Sequence, residues 1–360
     1  MILRFLIRTM MLLITIVTFV ALCLAALSPY IDPVSFSWFA FLGLGFEWLL
    51  LLNLISCVLW LFTHHRARAF FPLTAILLSL PSIFNTISFG KSHIPADVGH
   101  HLSLLTYNTH QLGEVRSPES KDNALLQYIK QTDADIVCLQ EFETYKNGAK
   151  APTLQNVKDY LDYPYHYIDY KVYKGNRQYG TAVFSKYPLL EKRTLRYESA
   201  TNQSDLCLVV VSGDTLCLIN NHLQSIRFNK DNLTVSQNVG TEELKEKTKG
   251  IIGKMRIAYK YRAPQARFIS DEIKSSKYKT IVCGDFNDTP VSYTYRKVSS
   301  NMRDCYLEAA PFSLGHTFMH RHLGIRIDYV LCTKEIYATS AIVPHVNYSD
   351  HYPLLVELAW

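Results

Sequence analysis

The first quarter of the chain is short of charge. Residues 1–90 contain no lysine, and Asp32 and Glu47 are their only acids, against four arginines. So little charge places nearly all of the ionic chemistry downstream and argues against a catalytic centre within this segment. The composition indicates a membrane region instead.

The sequence also lacks any Cys-x-x-Cys pair, although it contains eight cysteines. Paired cysteines with this spacing are typical of structural zinc sites, so the sequence does not indicate such a site. Cys138, Cys283 and Cys332 lie in apolar, strand-like runs, where cysteine behaves as a small hydrophobic residue. Cys207 and Cys217 could face each other across a hairpin, and a disulfide between them is the less favoured alternative.

Long apolar stretches fill the N-terminal region. Thr9–Leu27 is long enough for a helix that crosses ~30 Å of hydrocarbon, and Phe36–Phe62 follows it as a second candidate. The pair is typical of a hairpin of transmembrane helices, with a cleaved signal peptide as the alternative for the first stretch. Phe70–Phe89 is a weaker third candidate because prolines and serines interrupt it, so it could span the membrane or lie in its interface.

Arginines orient these candidate spans, because lysine and arginine are retained on the cytoplasmic side of a membrane. Arg4 and Arg8 precede the first span, whereas Arg66 and Arg68 follow the second. The loop around residues 29–33 is therefore expected outside. If the third stretch also crosses, the rest of the chain lies on the outer face, and we predict a multi-pass protein of the inner cell membrane with an extracytoplasmic catalytic domain.

The chain divides into three predicted regions. Residues 1–90 form the membrane region with two to three transmembrane helices, residues 91–101 a short polar tether, and residues 102–360 the catalytic domain. A length of about 260 residues suits one large domain better than two small ones. No internal repeat or low-complexity tract suggests a further division.

Strand-like and helical patterns mix in the catalytic domain. Asn123–Gln131 has helical spacing, and Pro264 occupies the position of a first-turn proline at the start of another helix. Leu206–Ile219, interrupted by Ser212-Gly213-Asp214, has the pattern of a hairpin. Mixed strands with interspersed helices predict an α/β fold that includes antiparallel pairs.

Several apolar runs end in a side chain that binds metals or moves protons. Such a run is typical of a buried strand whose C-terminal tip lines a catalytic cleft. Glu141, with Asn108 one motif earlier, supplies the oxygen ligands that Mg²⁺ prefers. Asp285 and Asn287 follow Gly284, which lets the chain turn tightly. The remaining members of the set are His222, Asp328, Asp350 and His351.

These side chains together meet the requirements of phosphoester hydrolysis. The reaction needs charge neutralisation on the phosphoryl oxygens, a water in line with the leaving oxygen and a group that makes the water nucleophilic. Asp285 can orient or deprotonate that water while Asn287 holds the water or the phosphate. His222 can donate to a phosphoryl oxygen, and Asp328 can fix the tautomer of His351. The set predicts a Mg-dependent phosphoester hydrolase.

In order and spacing, the motifs resemble those of the endonuclease/exonuclease/phosphatase superfamily of DNases, AP endonucleases, bacterial sphingomyelinases and inositol-phosphate phosphatases. The resemblance covers residues 102–360 and none of the membrane region, so the chain resembles a membrane-anchored, bacterial-type member. It implies a four-layer α/β sandwich of two packed β-sheets flanked by helices, with the site at the top of the sheets. The transmembrane helices precede that sandwich.

The resemblance also implies roles and a cofactor, which is Mg²⁺ or Mn²⁺ as one or two ions. Its metal ligands would be Asn108, Glu141 and Asp350. Its catalytic residues would be Asp285, Asn287, His222, Asp328 and His351. Whether Asp285 or His351 is the base has competing accounts in the family, and both remain open here.

The substrate is the least constrained part of the prediction. Lys171–Tyr179 interleaves basic with aromatic residues, a composition that can hold nucleic acid, and makes Arg177 and Tyr179 candidate substrate-binding residues. An exposed polar loop is the alternative. Lys245–Arg262 carries seven basic residues against Glu246 alone, and could form an amphipathic insert on anionic headgroups or a solvated loop.

We predict a membrane-anchored phosphodiesterase or phosphatase that acts on nucleic acid or on a phospholipid headgroup. A membrane-anchored endonuclease is the alternative within this class, and a non-catalytic scaffold that binds a phosphorylated ligand is the alternative outside it. The tryptophan-bearing motif of inositol polyphosphate phosphatases is absent, since the chain reads Gly284-Asp285-Phe286-Asn287. Anchoring also disfavours DNA repair. The sequence leaves the oligomeric state open.

Overall fold

The computed structural model describes residues 2–90, 98–113, 119–147, 151–226, 241–320 and 323–360. Most of the predicted tether lies outside these ranges. The chain forms two compact units. The first contains residues 1–86, 234–263 and 288–296, and the second contains residues 87–233, 264–287 and 297–360.

The first unit begins with a group of apolar helices. They are α1 (Ile2–Leu27), α2 (Trp38–Leu44), α3 (Phe46–Leu61), α4 (Phe70–Leu78) and α5 (Leu80–Thr86). Helices α1 and α3 are antiparallel, because Trp60 Nε1 donates to Thr15 Oγ1 at 2.9 Å whereas Asn53 Nδ2 donates to the Thr18 carbonyl at 3.0 Å. Apolar helices in lipid have no hydrophobic driving force to associate, so small and polar side chains at the contact commonly hold such helices together.

One helical segment of the described residues, Phe5–Tyr30, is long and apolar enough to cross a membrane. The other two predicted spans are bent helix pairs rather than single helices, and each passes the same test only if the pair counts as one span. The bend is 63° between α2 and α3, at Gly45, and 59° at the break before Leu80. Glycine weakens a helix, and Pro81 has no N–H to continue one, which explains the two breaks.

The second unit contains two six-stranded mixed sheets. The first consists of β1 (His101–Asn108), β2 (Ile136–Tyr145), β3 (Tyr165–Lys174), β4 (Arg177–Ser185), β13 (Tyr337–Ile342) and β14 (Leu354–Ala359). The second consists of β5 (Leu189–Leu195), β6 (Ser204–Val211), β7 (Asp214–His222), β8 (Lys279–Asp285), β9 (Arg303–Asp304) and β12 (Asp328–Cys332). The strand order is β13-β14-β1-β2-β4-β3 in the first sheet and β5-β6-β7-β8-β12-β9 in the second.

The inner faces of the two sheets form the core. Leu104 and Cys138 of the first sheet share one buried cluster with Leu218, Cys283 and Val330 of the second. A second cluster lies on the other face of the first sheet. The flanking helices are α6 (Ala124–Thr132), α7 (Leu154–Leu161), α8 (Thr241–Ser275), α9 (Tyr293–Val298) and α10 (Cys305–Ala309), of which α8 and α9 have residues in both units. A short hairpin of β10 (Phe318–His320) and β11 (Leu323–Ile325) completes the unit. The predicted α/β sandwich of two packed sheets flanked by helices is confirmed.

The hairpin and the helix at Asn123 form as predicted, and the less favoured alternative of a Cys207–Cys217 disulfide is excluded. Strands β6 and β7 pair antiparallel around Ser212-Gly213, and the Asn123 side chain caps α6. Cys207 pairs with Leu218 in that register, one position away from Cys217, so the two cysteines point to opposite faces of the sheet. Both are free thiols.

One local expectation was wrong, and two loop alternatives are excluded. Pro264 does not begin a helix, because it lies inside the 35-residue helix α8. This helix also includes Lys245–Arg262, so the solvated-loop alternative for that segment is excluded. The segment Lys171–Tyr179 is likewise not a loop but the end of the β3–β4 hairpin, where Lys174 pairs with Arg177. Gly175 has a φ of 60° in the turn between them, a conformation that glycine adopts without strain.

Candidate active site

The ends of neighbouring strands bring the predicted residues together. β1 and β2 are parallel, so Asn108 and Glu141 lie at the same edge of the first sheet. β7 and β8 are parallel in the second sheet, where His222 is opposite Asp285. Asp328 begins β12 and is opposite Asp285 on the other side. Five strands thus place polar side chains at one end of the sandwich.

Asp285 is held by amide groups from two sides. Asn108 Nδ2 donates to its Oδ2 at 2.9 Å, and so does Asn287 Nδ2 at 2.9 Å. The Asn287 backbone N–H donates to its Oδ1 at 2.7 Å. Burial, reinforced by the Asp328 carboxylate, raises the pKa of Asp285 to about 7. Its carboxylate is therefore fixed in orientation, and its pKa lies close to neutral pH.

His351 lies between two carboxylates. Its Nδ1 is 2.9 Å from Asp328 Oδ2, and its Nε2 is 3.9 Å from Asp285 Oδ2. Burial lowers the pKa of His351, but the charges of Asp328 and Asp285 outweigh that effect and raise the pKa to about 10. The predicted pairing of His351 with Asp328 is present, and it holds the imidazole as a cation.

Glu141 and Asp350 form a second acidic group beside the first. Glu141 Oε1 is 3.8 Å from His222 Nε2, and His110 Nδ1 is 3.3 Å from Asp350 Oδ1. Burial raises the pKa of Glu141, the charge of Asp350 adds to this, and His110 and a hydrogen bond from Tyr179 oppose it. Two carboxylates that repel each other in a partly enclosed position are arranged for a cation.

One cavity of about 580 Å³ collects these side chains. Eight of the ten predicted residues line it, namely Asn108, Glu141, Arg177, Tyr179, Asp285, Asn287, Asp350 and His351. His222 and Asp328 are buried and do not line it, but each contacts a residue that does.

Sequence reasoning missed six polar residues of the cavity wall. They are His110, Gln111, Glu143, Lys174, Thr201 and Ser225. Glu143 follows Glu141 by two positions along β2, and this spacing was a usable signal because alternate strand residues share a face. Arg177 donates through Nε to Glu143 Oε2 at 2.9 Å and through Nη2 to Gln111 Oε1 at 2.7 Å. Its guanidinium is therefore engaged within the protein.

Unusual backbone conformations cluster at this site. Glu141 has a φ of 52° and Asn287 a φ of 54°, both in the left-handed region. His110, Gln111 and Leu112 follow one another with φ of 41°, 63° and 62°. Such conformations are costly for residues with a side chain and concentrate at functional sites. The positive φ at Glu141 coincides with the irregularity in β2–β4 pairing between Leu139 and Phe142, which turns its side chain out of the strand.

Two sets of side chains at the site could hold a divalent cation. Asp285, Asp328 and His351 each offer a ligand atom within 4.8 Å of the others. His351 and Asp328 are already bonded to each other, so this set is better described as an ion-paired network. Glu141 and Asp350 offer hard oxygens that line the cavity, and Asn108 Oδ1 accepts one hydrogen bond, at 3.1 Å, and keeps a second lone pair. The second set fits the cation better.

Comparisons with known proteins agree with this architecture. A sequence profile described as the Endonuclease/Exonuclease/phosphatase family matches residues 105–351. A second profile, described as a Domain of unknown function (DUF8431), matches residues 8–86. No curated protein sequence matches the chain.

Solved structures share the fold at low sequence identity. An endonuclease/exonuclease/phosphatase from Beutenbergia cavernae is 16% identical, with a TM-score of 0.53 and coverage of 72% of each chain. A family protein from Bacteroides thetaiotaomicron is 15% identical, with a TM-score of 0.50 and coverage of 72% of this chain and 98% of that one. The human Nocturnin catalytic domain with bound sulfate anion is 19% identical, with a TM-score of 0.50 and coverage of 72% and 94%.

Proposed function

Since the chain belongs to the endonuclease/exonuclease/phosphatase family and is a phosphoester hydrolase, we propose that its cavity hydrolyses a phosphodiester or phosphomonoester with the help of Mg²⁺ or Mn²⁺, as one or two ions. The observation that carries this proposal is the meeting of eight predicted polar residues from distant segments in one cavity. A binding scaffold has no need of the whole set.

We assign the base to Asp285. Its carboxylate lines the cavity and is oriented by Asn108 and Asn287, so it can accept a proton from a water that faces the phosphorus. Asn287 acts as a positioning residue, because its N–H and its amide bind one carboxylate oxygen each. His351 is the cationic partner. Held between Asp328 and Asp285, it can donate to a phosphoryl oxygen as charge develops there.

Glu141, Asp350 and Asn108 are the proposed metal ligands. The ion would supply charge neutralisation of the phosphoryl oxygens when bound. His222 is buried behind Glu141, with Nε2 3.8 Å from its carboxylate, so we assign it to holding Glu141 in place rather than to direct phosphate contact. Tyr179 acts on the same carboxylate through its hydrogen bond.

The charge of the cavity wall favours a small phosphoester over a long nucleic acid. Four acids line it, Glu141, Glu143, Asp285 and Asp350. Against them stand Lys174, Arg177 and the cationic His351, and Glu143 already pairs with Arg177, so the wall has no surplus of cations. A groove that follows a nucleic-acid backbone requires a surplus of cations. The membrane-anchored endonuclease therefore remains the second candidate, supported by Lys174 at the rim.

Substitution of Asp285 tests the proposal. The full chain in detergent is offered bis-p-nitrophenyl phosphate and p-nitrophenyl phosphate with Mg²⁺, with Mn²⁺ and with chelator. We expect metal-dependent turnover that falls ~10³-fold in Asp285→Asn. Asp205→Asn is the matched control, because Asp205 is equally buried but lies outside the cavity lining. Turnover that survives chelation, or equal losses in both variants, would contradict the proposal.

Plasmid DNA, phosphatidylinositol vesicles and inositol phosphates distinguish the substrates. An endonuclease would nick the plasmid with a rate that falls steeply with salt, because its contacts to the backbone release counterions. A lipid-headgroup hydrolase would prefer the vesicles. Preference for plasmid over every small phosphoester would overturn the charge argument and favour the second candidate.

We propose that α1 anchors the chain in a membrane and that the catalytic domain is extracytoplasmic. Arg66 and Arg68 follow α3, at the same end of the antiparallel pair as the start of α1. At the other end of α1, Arg296 lies 4.3 Å from the Tyr30 ring. Phe41 of α2 stacks edge-on with Tyr259 at 5.5 Å. Tyr259 and Arg296 belong in sequence to the catalytic domain, and both contact the end of the helix pair opposite the arginines. The positive-inside rule places the arginines in the cytoplasm and therefore this opposite end outside.

A further inference from the structure

The first unit contains a basic groove, and none of the described residues that line this groove lines the catalytic cavity. The groove has a volume of about 800 Å³ and is lined by Trp38, Lys245, Lys249, Ile252, Gly253 and Arg256, among others. We propose that this basic groove binds the headgroup of an anionic phospholipid from the bilayer that holds α1. The inference rests on the membrane insertion proposed above and is independent of the hydrolytic reaction.

The position of Trp38 places the groove at the membrane surface. Trp38 begins α2, eight residues after the apolar span ends at Tyr30, and is 59% exposed. Tryptophan at the end of an apolar span prefers the headgroup region, where its ring is partly in lipid and partly in water. Arg256 lies 5.4 Å from that ring and donates through Nε to Ser37 Oγ at 3.2 Å. The arginine is thereby fixed at the depth of the headgroups.

The helix face that forms the groove continues as an exposed apolar stripe. Lys249, Gly253, Ile257 and Tyr261 follow at intervals of four residues and therefore share one face of α8. Ile257 is 57% exposed and Tyr261 is 36% exposed. Cations beside exposed apolar side chains on one helix face are typical of a surface that lies on anionic lipid. A nucleic-acid site would not need the apolar stripe.

The floor of the groove is open because of a glycine. A Cβ at Gly253 would meet nothing within 4 Å, so neither packing nor backbone conformation requires glycine there. Glycine in a helix interior costs ~1 kcal/mol relative to alanine. Gly253 therefore opens the groove at the expense of helix stability. Lys249 and Arg256 lie one turn before and one turn after it on the helix, where they can reach the same phosphate.

Lipid retention by the full chain tests this inference. The protein is reconstituted in mixed phosphatidylcholine and phosphatidylglycerol, extracted in mild detergent, and examined by native mass spectrometry for bound lipid. We expect preferential retention of phosphatidylglycerol, reduced about fivefold in Lys249→Gln and again in Arg256→Gln, since each cation near a membrane surface contributes about that factor. Gly253→Leu fills the groove and should abolish the preference.

Two variants on the same helix serve as controls. Gly250→Leu adds the same side chain into open space but does not line the groove, and Lys274→Gln removes an exposed charge near the other end of α8. Both should retain phosphatidylglycerol like the native chain and bind substrate normally.

Three outcomes of the lipid experiment would overturn the proposal. They are equal retention of the two lipids, equal loss in the controls, and displacement of phosphatidylglycerol by millimolar inorganic phosphate alone. Loss of plasmid binding with unchanged lipid retention would do so too, and would indicate a nucleic-acid site. Extraction of the reconstituted chain by alkaline carbonate would refute the insertion as well.

Discussion

At the scale of single residues, Asp285 and Asp205 show how position decides what a buried acid does. Burial raises the pKa of Asp285 to about 7 and that of Asp205 to about 8. Asp285 lines the cavity and is oriented by amide donors, whereas Asp205 lies within β6 away from the cavity. The same physical cause therefore acts on the proposed base in one place and on a destabilising group in the other.

Stability should depend on the Asp205 carboxyl. Its folded pKa is raised above the ordinary value of 3.8, so the folded chain binds this proton more tightly than the unfolded chain. The resulting stabilisation is complete below pH 3.8 and is lost as pH rises towards about 8, at up to ~1.4 kcal/mol per pH unit. Asp205→Asn should therefore raise the thermal midpoint at pH 9 relative to the native chain. Thermal unfolding in detergent at several pH values measures this, and an Asn variant that is less stable at pH 9 would contradict it.

Arg177 should act through Glu143 rather than by holding substrate. The two side chains are paired, and Glu143 is only 1% exposed. Arg177→Gln and Glu143→Gln should therefore change KM to a similar degree, and the double variant should be no worse than either, because residues of one network are not additive. Steady-state kinetics of the three variants measures this. If Arg177→Gln alone raised KM, direct substrate contact would be the better description.

At the scale of elements, the site depends on how strands end. Glu141, at the irregularity within β2, and Asn287, just after β8, both have a positive φ, and Gly284 has a φ of 115° just before Asp285. A Cβ at Gly284 would lie 2.1 Å from the Asn221 carbonyl oxygen of the neighbouring strand. Glycine at this point lets β8 approach β7 closely enough for His222 and Asp285 to be opposite each other.

Replacement of Gly284 should disrupt the site through the backbone. Gly213→Ala is the matched control, because Gly213 also has a positive φ, of 93°, but a Cβ there meets nothing within 4 Å. We expect Gly213→Ala to lose ~1–2 kcal/mol of stability and keep full activity. Gly284→Ala should lose more stability and most of its turnover, because β8 must move away from Asn221. Thermal unfolding and turnover measure both, and equal behaviour of the two variants would show that close approach is unimportant.

At the scale of the whole molecule, the N-terminal helices belong to one compact unit with parts of the family domain. Residues 234–263 and 288–296 join residues 1–86 in that unit. Gly43 shows how closely they pack, since a Cβ there would lie 2.2 Å from the Val291 carbonyl oxygen. The proposed division into residues 1–90, 91–101 and 102–360 therefore describes the order of the chain, whereas compact packing groups distant segments.

The proposed topology predicts the side on which the C-terminus is exposed. Alkaline phosphatase joined after Trp360 of the full chain should be active, because it folds only outside the cytoplasm. A green fluorescent protein in the same place should be dark. Reporter activity in intact cells measures this, with protein amounts checked by immunoblot. The reverse pattern would place the catalytic domain in the cytoplasm and contradict the topology.

The sequence by itself determined the fold class, the apolar first helix and the identity of the polar residues at the strand ends. These follow from local patterns, because burial requires apolar runs and catalysis requires particular functional groups. It did not determine the bends at Gly45 and before Leu80 or the continuation of α8 through Pro264. These depend on packing partners, which local propensity does not contain.

Only the tertiary structure decided which polar residues meet. The pairing of Arg177 with Glu143, the placement of His222 behind Glu141 and the basic groove join segments that are distant in sequence. The register between β2 and β4 fixes the first of these contacts, whereas the packing of the two sheets and of the helices fixes the other two. A register shift by one residue would turn each strand side chain to the other face. Cys207 and Cys217 are an example, because both are free thiols in the observed register. A shift of the register by one residue would place the two cysteines opposite each other.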